Sequence, residues 1–242
     1  MHCGMRIGNM EIYGGQRGER RNPADIRQLV STYAVGTPAD VDAAVRAAAG
    51  AFPAWRDTPV SERVAIGERV FALATARQEE LATILRDEAG KPMAQAKGEI
   101  AKGLEVMAHA VELGRDPKSF GFSIEPAPAG FELGVELHPY GVTALITAWN
   151  FPWILFCWKA CYALVAGNTL VWKPAEQTPA ISLALYDLFK EAGLPPGVLN
   201  LVYGGVDVGE TLVLHPLVEM ISFTGSTKAG FRIAELNYVE RV

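Results

Sequence analysis

Cysteine is scarce in these 242 residues: there are three, Cys3, Cys157 and Cys161. An odd, sparse set builds no disulfide framework, and it fits a reducing, cytoplasmic compartment. Cys157 and Cys161 stand at i, i+4 in a predicted helix, yet His2, His109, His138 and His215 are scattered and add no ligand at suitable spacing. The pair reads as core packing, and no metal is expected. Basic excess is missing too. Lys and Arg number 22 against 27 Asp and Glu, a formal net charge of −5, which leaves no electrostatic footprint for nucleic acid. Arg17, Arg20 and Arg21 crowd together, but Glu19 interrupts them, as in a solvated loop. The first ten residues hold no apolar run, hence no signal peptide. Met5 and Met10 are alternative starts, so the opening few residues are not expected to carry structure. Residues 151–172 are strongly apolar, but Pro152, Lys159 and Gly167-Asn168-Thr169 interrupt them. A buried helix followed by a buried strand explains the run better than a membrane span. Finally, no G-x-G-x-x-G occurs, which counts against an ordinary Rossmann dehydrogenase.

What is present is ordinary globular composition, 50 % hydrophobic and 20 % charged, enough to bury a sizeable core. The pattern predicts a short strand and turn at 10–15 and an edge-like strand at 28–35. Thr37-Pro38 then opens an amphipathic helix carrying Val41, Ala44, Val45, Ala48 and Phe52. Ser61 caps a long helical region closed by Gly90-Lys91-Pro92, and a third helix stops at Gly114. Breakers follow at Pro117, Gly121, Pro126, Pro128 and Gly130. Residues 131–138 alternate with period two, as a strand with one wet face does. This segment reads as a protruding arm, or as a surface loop with one edge strand.

Beyond Tyr140 strands and helices alternate. Strands are predicted at 142–147, 169–173, 199–203 and 220–223, and helices at 152–165, from Thr178-Pro179 to Gly193, at 206–214 and from Ser226. The fold class is therefore α/β: a Rossmann-like parallel sheet with flanking helices, preceded by a helical N-terminal region and interrupted by an antiparallel β arm. The divisions are residues 1–120, the arm at 121–140, and the Rossmann-like core at 141–242.

Right-handed crossovers bring the turn after each of the four core strands to one edge. Glu176, just past the second strand, can accept from both hydroxyls of a nucleotide ribose and would repel a 2′-phosphate, favouring NAD over NADP. Lys173 can donate to the same ribose. The plain alternative is a surface pair at i, i+3. Gly225-Ser226 opens a helix and suits phosphate, or is a simple N-cap. The 204–209 turn, GGVDVG, allows close backbone approach or is only a turn. Asn150 can stabilise an oxyanion, though an Asn there is more often a helix cap.

Taken together these motifs resemble the aldehyde dehydrogenase superfamily. The likeness rests on Ala148-Trp149-Asn150-Phe151-Pro152, on Gly167-Asn168-Thr169 with Lys173-Pro174-Ala175-Glu176-Gln177-Thr178-Pro179, on Glu191-Ala192-Gly193-Leu194-Pro195-Pro196-Gly197-Val198, and on Phe223-Thr224-Gly225-Ser226-Thr227. Weaker likeness runs back to about Gly15. The resemblance implies NAD(P)-dependent oxidation of a small-molecule aldehyde to an acid through a cysteine thiohemiacetal and thioester. It implies that Asn150 is the side-chain donor of the oxyanion hole and that Lys159 is associated with proton relay. Lys173 and Glu176 would hold the adenosine ribose, with Ile146, Thr147, Ala148 and Trp149 lining the cofactor. Phe223, Gly225 and Ser226 would meet the nicotinamide half or pyrophosphate, and Gly205 and Gly209 the adenine side. The arm resembles the family's oligomerisation segment, so a homo-oligomer is implied.

The departures matter as much. The family's general-base motif E-L-G-G-K and its nucleophilic G-Q-x-C do not occur in these residues. Thr147-Ala148 replaces an apolar-Pro pair before Trp149. The expectation is the N-terminal, NAD-binding portion of an aldehyde dehydrogenase, its catalytic domain absent and the chain inactive by itself. The alternatives are a non-catalytic dinucleotide-binding or subunit-pairing module, and an unstable truncated remnant.

Overall fold

A computed structural model describes residues 1–125 and 129–240; Pro126 and Pro128 of the expected arm lie outside them. In chain order the first strands are β1 (His2–Cys3), β2 (Met5–Ile7), β3 (Met10–Ile12), β4 (Arg17–Asn22) and β5 (Asp25–Ala34). The helices α1 (Pro38–Asp57), α2 (Val60–Ala76), α3 (Gln78–Ala89) and α4 (Met93–Arg115) follow. Next come β6 (Gly121–Ser123) and β7 (Gly134–Glu136). The remainder alternates: β8 (Val142–Ile146), α5 (Pro152–Val165), β9 (Thr169–Lys173), α6 (Pro179–Glu191), β10 (Leu199–Leu201), α7 (Val206–Leu214), β11 (Val218–Phe223) and α8 (Thr227–Glu240).

The main sheet has the order β11-β8-β9-β10-β2-β3. Its first four strands are parallel, as the alternation predicts. The last two, β2 and β3, are an antiparallel hairpin added at β10, so the sheet is mixed. This corrects the expectation for the opening residues: Met5, Arg6 and Ile7 are all buried. Three residues are too few for a period-two signal to show, which is why the sequence hid them. The segment at 28–35 is likewise no edge. It belongs to β5, the middle strand of a second sheet ordered β1-β5-β4. The apolar run at 151–172 resolves into α5 and β9. Among the described residues no helix is long and apolar enough to cross a membrane.

Two helix boundaries also differ. The region after Ser61 is two helices broken at Arg77, and α2 starts two residues earlier than a Ser61 cap would place it, with Pro59 at the cap position and no side-chain cap. The helix expected to stop at Gly114 continues to Arg115, because Gly114 is a contact point: a Cβ there would lie 2.5 Å from Val64 and 2.7 Å from Val165. Gly90 does end α3, in the left-handed conformation. In the arm, β6 pairs with β7, but all three β7 residues are exposed, so the expected wet face has no buried counterpart in the single chain.

α4 packs on α5, and α2 and α3 pack on α4; α1 lies across β8, β9 and β10 beside α7. Two buried carboxylates lock the helical layer to the sheet layer. Neither α5 nor α6 has a side-chain cap of its own. Glu99 of α4 instead accepts from the amides of Trp153 (3.0 Å) and Ile154 (3.4 Å). Glu88 of α3 accepts from Ala180 (2.7 Å), Ile181 (3.0 Å) and the Ser31 hydroxyl (3.1 Å). A carboxylate at a helix N-terminus satisfies orphan amides and meets the positive end of the dipole. Both Rossmann helices thus begin where the helical layer holds them.

Candidate nucleotide site

The turns following β8, β9, β10 and β11 meet at one edge of the sheet and enclose a cleft of about 590 Å³. All eleven residues expected to bind a cofactor line it: Ile146, Thr147, Ala148, Trp149, Lys173, Glu176, Gly205, Gly209, Phe223, Gly225 and Ser226. They come from four segments far apart in sequence, and parallel β-α-β winding is what brings them together.

Local structure fixes each wall. The Thr147 amide donates to the Lys173 carbonyl at 3.3 Å, and its hydroxyl accepts from Trp172 Nε1 at 3.0 Å, tying β8 to β9 at the edge. The Thr224 amide donates to the Ile146 carbonyl at 3.0 Å, doing the same for β11 and β8. The turn after β10 needs glycine: Gly204 has φ 154°, and a Cβ there would lie 2.4 Å from Val208. The result is a bare backbone floor leading into the N-terminus of α7.

Lys173 is only 9 % exposed, so it is no surface residue. Burial pushes its ammonium down from the usual lysine range, opposed by the charges of Glu176 and Asp207. Its Nζ donates to the Pro174 carbonyl at 3.3 Å, which leaves further N–H donors for a ligand. Glu176 is half-buried and accepts from the Tyr33 hydroxyl at 3.2 Å. The plain alternative of a solvated Lys–Glu pair does not describe this geometry. Ser226 does act as a cap, its Oγ accepting from the Ala229 amide at 3.2 Å, while α8 begins at Thr227.

Asn150 and Lys159 lie outside the cleft lining. Asn150 is exposed at the head of α5. It does not cap that helix, since Glu99 takes the amides, so its carboxamide is left free for other partners. Lys159 is half-buried, and burial lowers its pKa; Nζ donates to Ser222 Oγ (3.2 Å) and the Phe223 carbonyl (3.4 Å), fastening α5 to β11. The cysteines are all buried. Burial pushes the Cys3 thiol up to about 12 and the Cys157 thiol well above its usual value, so neither supplies a thiolate near neutral pH.

Sequence reasoning missed three groups around the cleft. Lys228 and Arg232 reach its rim from α8, and Arg232 pairs with Glu210 of α7 at 2.8 Å. Helical spacing after Ser226 was the available signal. Tyr33 stands behind Glu176, and nothing local could have linked residues so distant.

Comparison with known proteins agrees with this geometry. The model of the aldehyde dehydrogenase family matches residues 13–241. The probable methylmalonate-semialdehyde/malonate-semialdehyde dehydrogenase of Dictyostelium discoideum is 39 % identical over 215 residues, covering 89 % of this chain and 40 % of the relative. The NADP(+) succinate-semialdehyde dehydrogenase of Escherichia coli is 40 % identical over 227 residues, covering 93 % of this chain and 46 % of the relative. A crystal structure of an NAD-dependent aldehyde dehydrogenase from Sinorhizobium meliloti superposes with a TM-score of 0.92 at 34 % identity, over 98 % of this chain and 48 % of that one. The chain thus spans about half the length of the relatives it matches. With motifs, winding and family match in agreement, the chain belongs to the aldehyde dehydrogenase family, whose members use NAD or NADP.

Proposed function

We propose that the cleft binds NAD, with the adenosine ribose held by Lys173 and Glu176. The observation that carries the reading is the convergence of a buried lysine, a half-buried glutamate and two glycine-containing turns on one cleft. Glu176 accepts from the ribose hydroxyls, and its charge disfavours the 2′-phosphate of NADP. Lys173 donates to the ribose. The amides at the starts of α7 and α8 face the pyrophosphate, and Lys228 adds positive charge at the rim, where Arg232 is already paired with Glu210 and Glu235. The residues fit a dinucleotide in donor set and in size.

The reaction served is oxidation of an aldehyde to a carboxylic acid, for which NAD supplies the hydride acceptor. Asn150, exposed at the head of α5, is the residue we assign to donate its carboxamide N–H to the developing oxyanion. Lys159, with its pKa lowered by burial, is the residue we assign to proton relay. The reaction also needs an accessible thiolate and a general base. All three cysteines are buried and offer no accessible nucleophile, so we infer that these residues alone bind nucleotide without oxidising aldehyde. In the arm, Phe122, Phe131 and Leu137 are more than half exposed, and we assign them to pairing with a second copy.

Calorimetric titration of NAD tests the assignment. Saturable binding is expected for the wild type, weakened about tenfold or more by Glu176→Ala or Lys173→Ala, since a hydrogen bond to a charged group contributes about 1.5–3 kcal/mol. Equal affinity in all three proteins, or no binding to the wild type, would rule the ribose assignment out.

A further inference from the structure

Glu176 has a support that the ribose reading does not use. Tyr33, in β5, reaches it from the small sheet and donates its hydroxyl to Oε1 at 3.2 Å. The phenol is buried, 8 % exposed, and stands behind the cleft wall. Its ring is clamped on two sides. Gly18 faces it across the β4–β5 pair, and a Cβ on Gly18 would fall 2.1 Å from Tyr33 Cζ. Only glycine leaves the ring that seat. On the other side lies Tyr203, with ring centroids 5.9 Å apart. Tyr203 is itself fully buried and fixed by its hydroxyl, which donates to the Pro179 carbonyl at 3.0 Å.

A ring held this way aims its hydroxyl in one direction. The hydrogen bond occupies one lone pair of Oε1. Oε2 lies on the side of the 204–205 turn, 3.7 Å from where a Gly205 Cβ would stand. A free glutamate samples several rotamers, and ordering it on ligand binding costs conformational entropy. Such a side chain can also swing aside and admit a 2′-phosphate. An anchored one has been ordered in advance and cannot.

We propose that Tyr33 is a positioning residue that fixes Glu176 to receive a ribose diol and so sets the preference for NAD over NADP. The inference rests on the ribose reading of Glu176 given above. Burial, reinforced by the neighbouring Glu176 charge, pushes the Tyr33 hydroxyl up to about 12, so it stays a donor throughout the neutral range.

The test is equilibrium binding of NAD and of NADP to the full chain, for the wild type, Tyr33→Phe, Glu176→Gln and the double variant. Tyr33→Phe keeps the ring over Gly18 and removes one hydroxyl. NAD binding is expected to weaken about 3- to 10-fold with NADP binding not weakened, so the preference narrows by the same factor. In the Glu176→Gln background the second substitution should change neither affinity, which is the coupling expected of a residue acting through another. Gly18→Ala is a second route: it keeps the phenol but pushes ring and hydroxyl together out of their seat, a Cβ there falling 2.4 Å from the Tyr33 hydroxyl, and should narrow the preference in the same direction. A merely structural role would weaken both nucleotides alike. That outcome, or an unchanged NAD/NADP ratio in Tyr33→Phe, would overturn the positioning role while leaving the ribose site standing. A wild type that binds no NAD would overturn both.

Discussion

Glu88 shows how much one buried side chain can carry. It is fully buried, and burial, only partly offset by the donors from Ile181, Ala180 and Ser31, raises its pKa to about 7. An acid raised in the folded state binds more protons folded than unfolded between its two pKa values. Its contribution to stability is therefore fully present below the unfolded value near 4.5 and lost as pH rises through about 7. A shift of that size is worth on the order of 3 kcal/mol. Denaturant unfolding from pH 4 to 8 should show a decline across that window, and Glu88→Gln should flatten it; a profile the same in both proteins would contradict the assignment. Lys173, Glu176 and Gly225 could be placed at the sheet edge from the sequence, because neighbours in the chain locate them just past their strands. Glu88 and Tyr33 could not be read this way, because their partners lie 92 and 143 residues away, and no local pattern encodes such a meeting.

At the scale of elements, the site is held by helices that do not cap themselves. Glu99 of α4 secures the start of α5, and it also pairs with Lys91, whose Nζ sits 4.0 Å from the centre of the Phe151 ring. The bracket ends one residue from Asn150. Glu99→Ala removes the acceptor for two amides and strands Lys91, which should cost about 1–3 kcal/mol. We expect loss of amide protection at Trp153 and Ile154 in hydrogen exchange while α6 stays protected. Equal loss in both helices would mean that Glu99 acts globally. Helix ends marked by glycine in the left-handed region were readable, at Gly90, Gly167 and Gly193. The break at Arg77 was not, since no Gly or Pro marks it, and Gly114 misled because there glycine serves packing. Strands β8, β9 and β10 were legible because apolar residues buried on both faces leave an unbroken signal, whereas β11, an edge strand with Glu219 and Met220 exposed, was expected only from 220 and begins at Val218. In the antiparallel β2–β3 hairpin, β3 falls within the short strand and turn expected at 10–15, while β2, three residues long, left no signal.

For the whole molecule, the fold forms a cleft at the edge of the main sheet and leaves apolar side chains of the arm exposed. Phe131 and Leu137 are 68 % and 61 % exposed. Replacing both with Ser should leave the stability of a single chain within about 0.5 kcal/mol and leave NAD affinity unchanged, yet lower the mass measured by light scattering. A mass unaffected by the change would remove the arm from any role in assembly. The central claim is that the four turns at the sheet edge form one nucleotide site. Hydrogen exchange of the chain with and without NAD tests it most directly. The account predicts NAD-dependent protection concentrated in residues 146–149, 173–177, 204–209 and 223–229. Protection centred elsewhere, or none at saturating NAD, would contradict it.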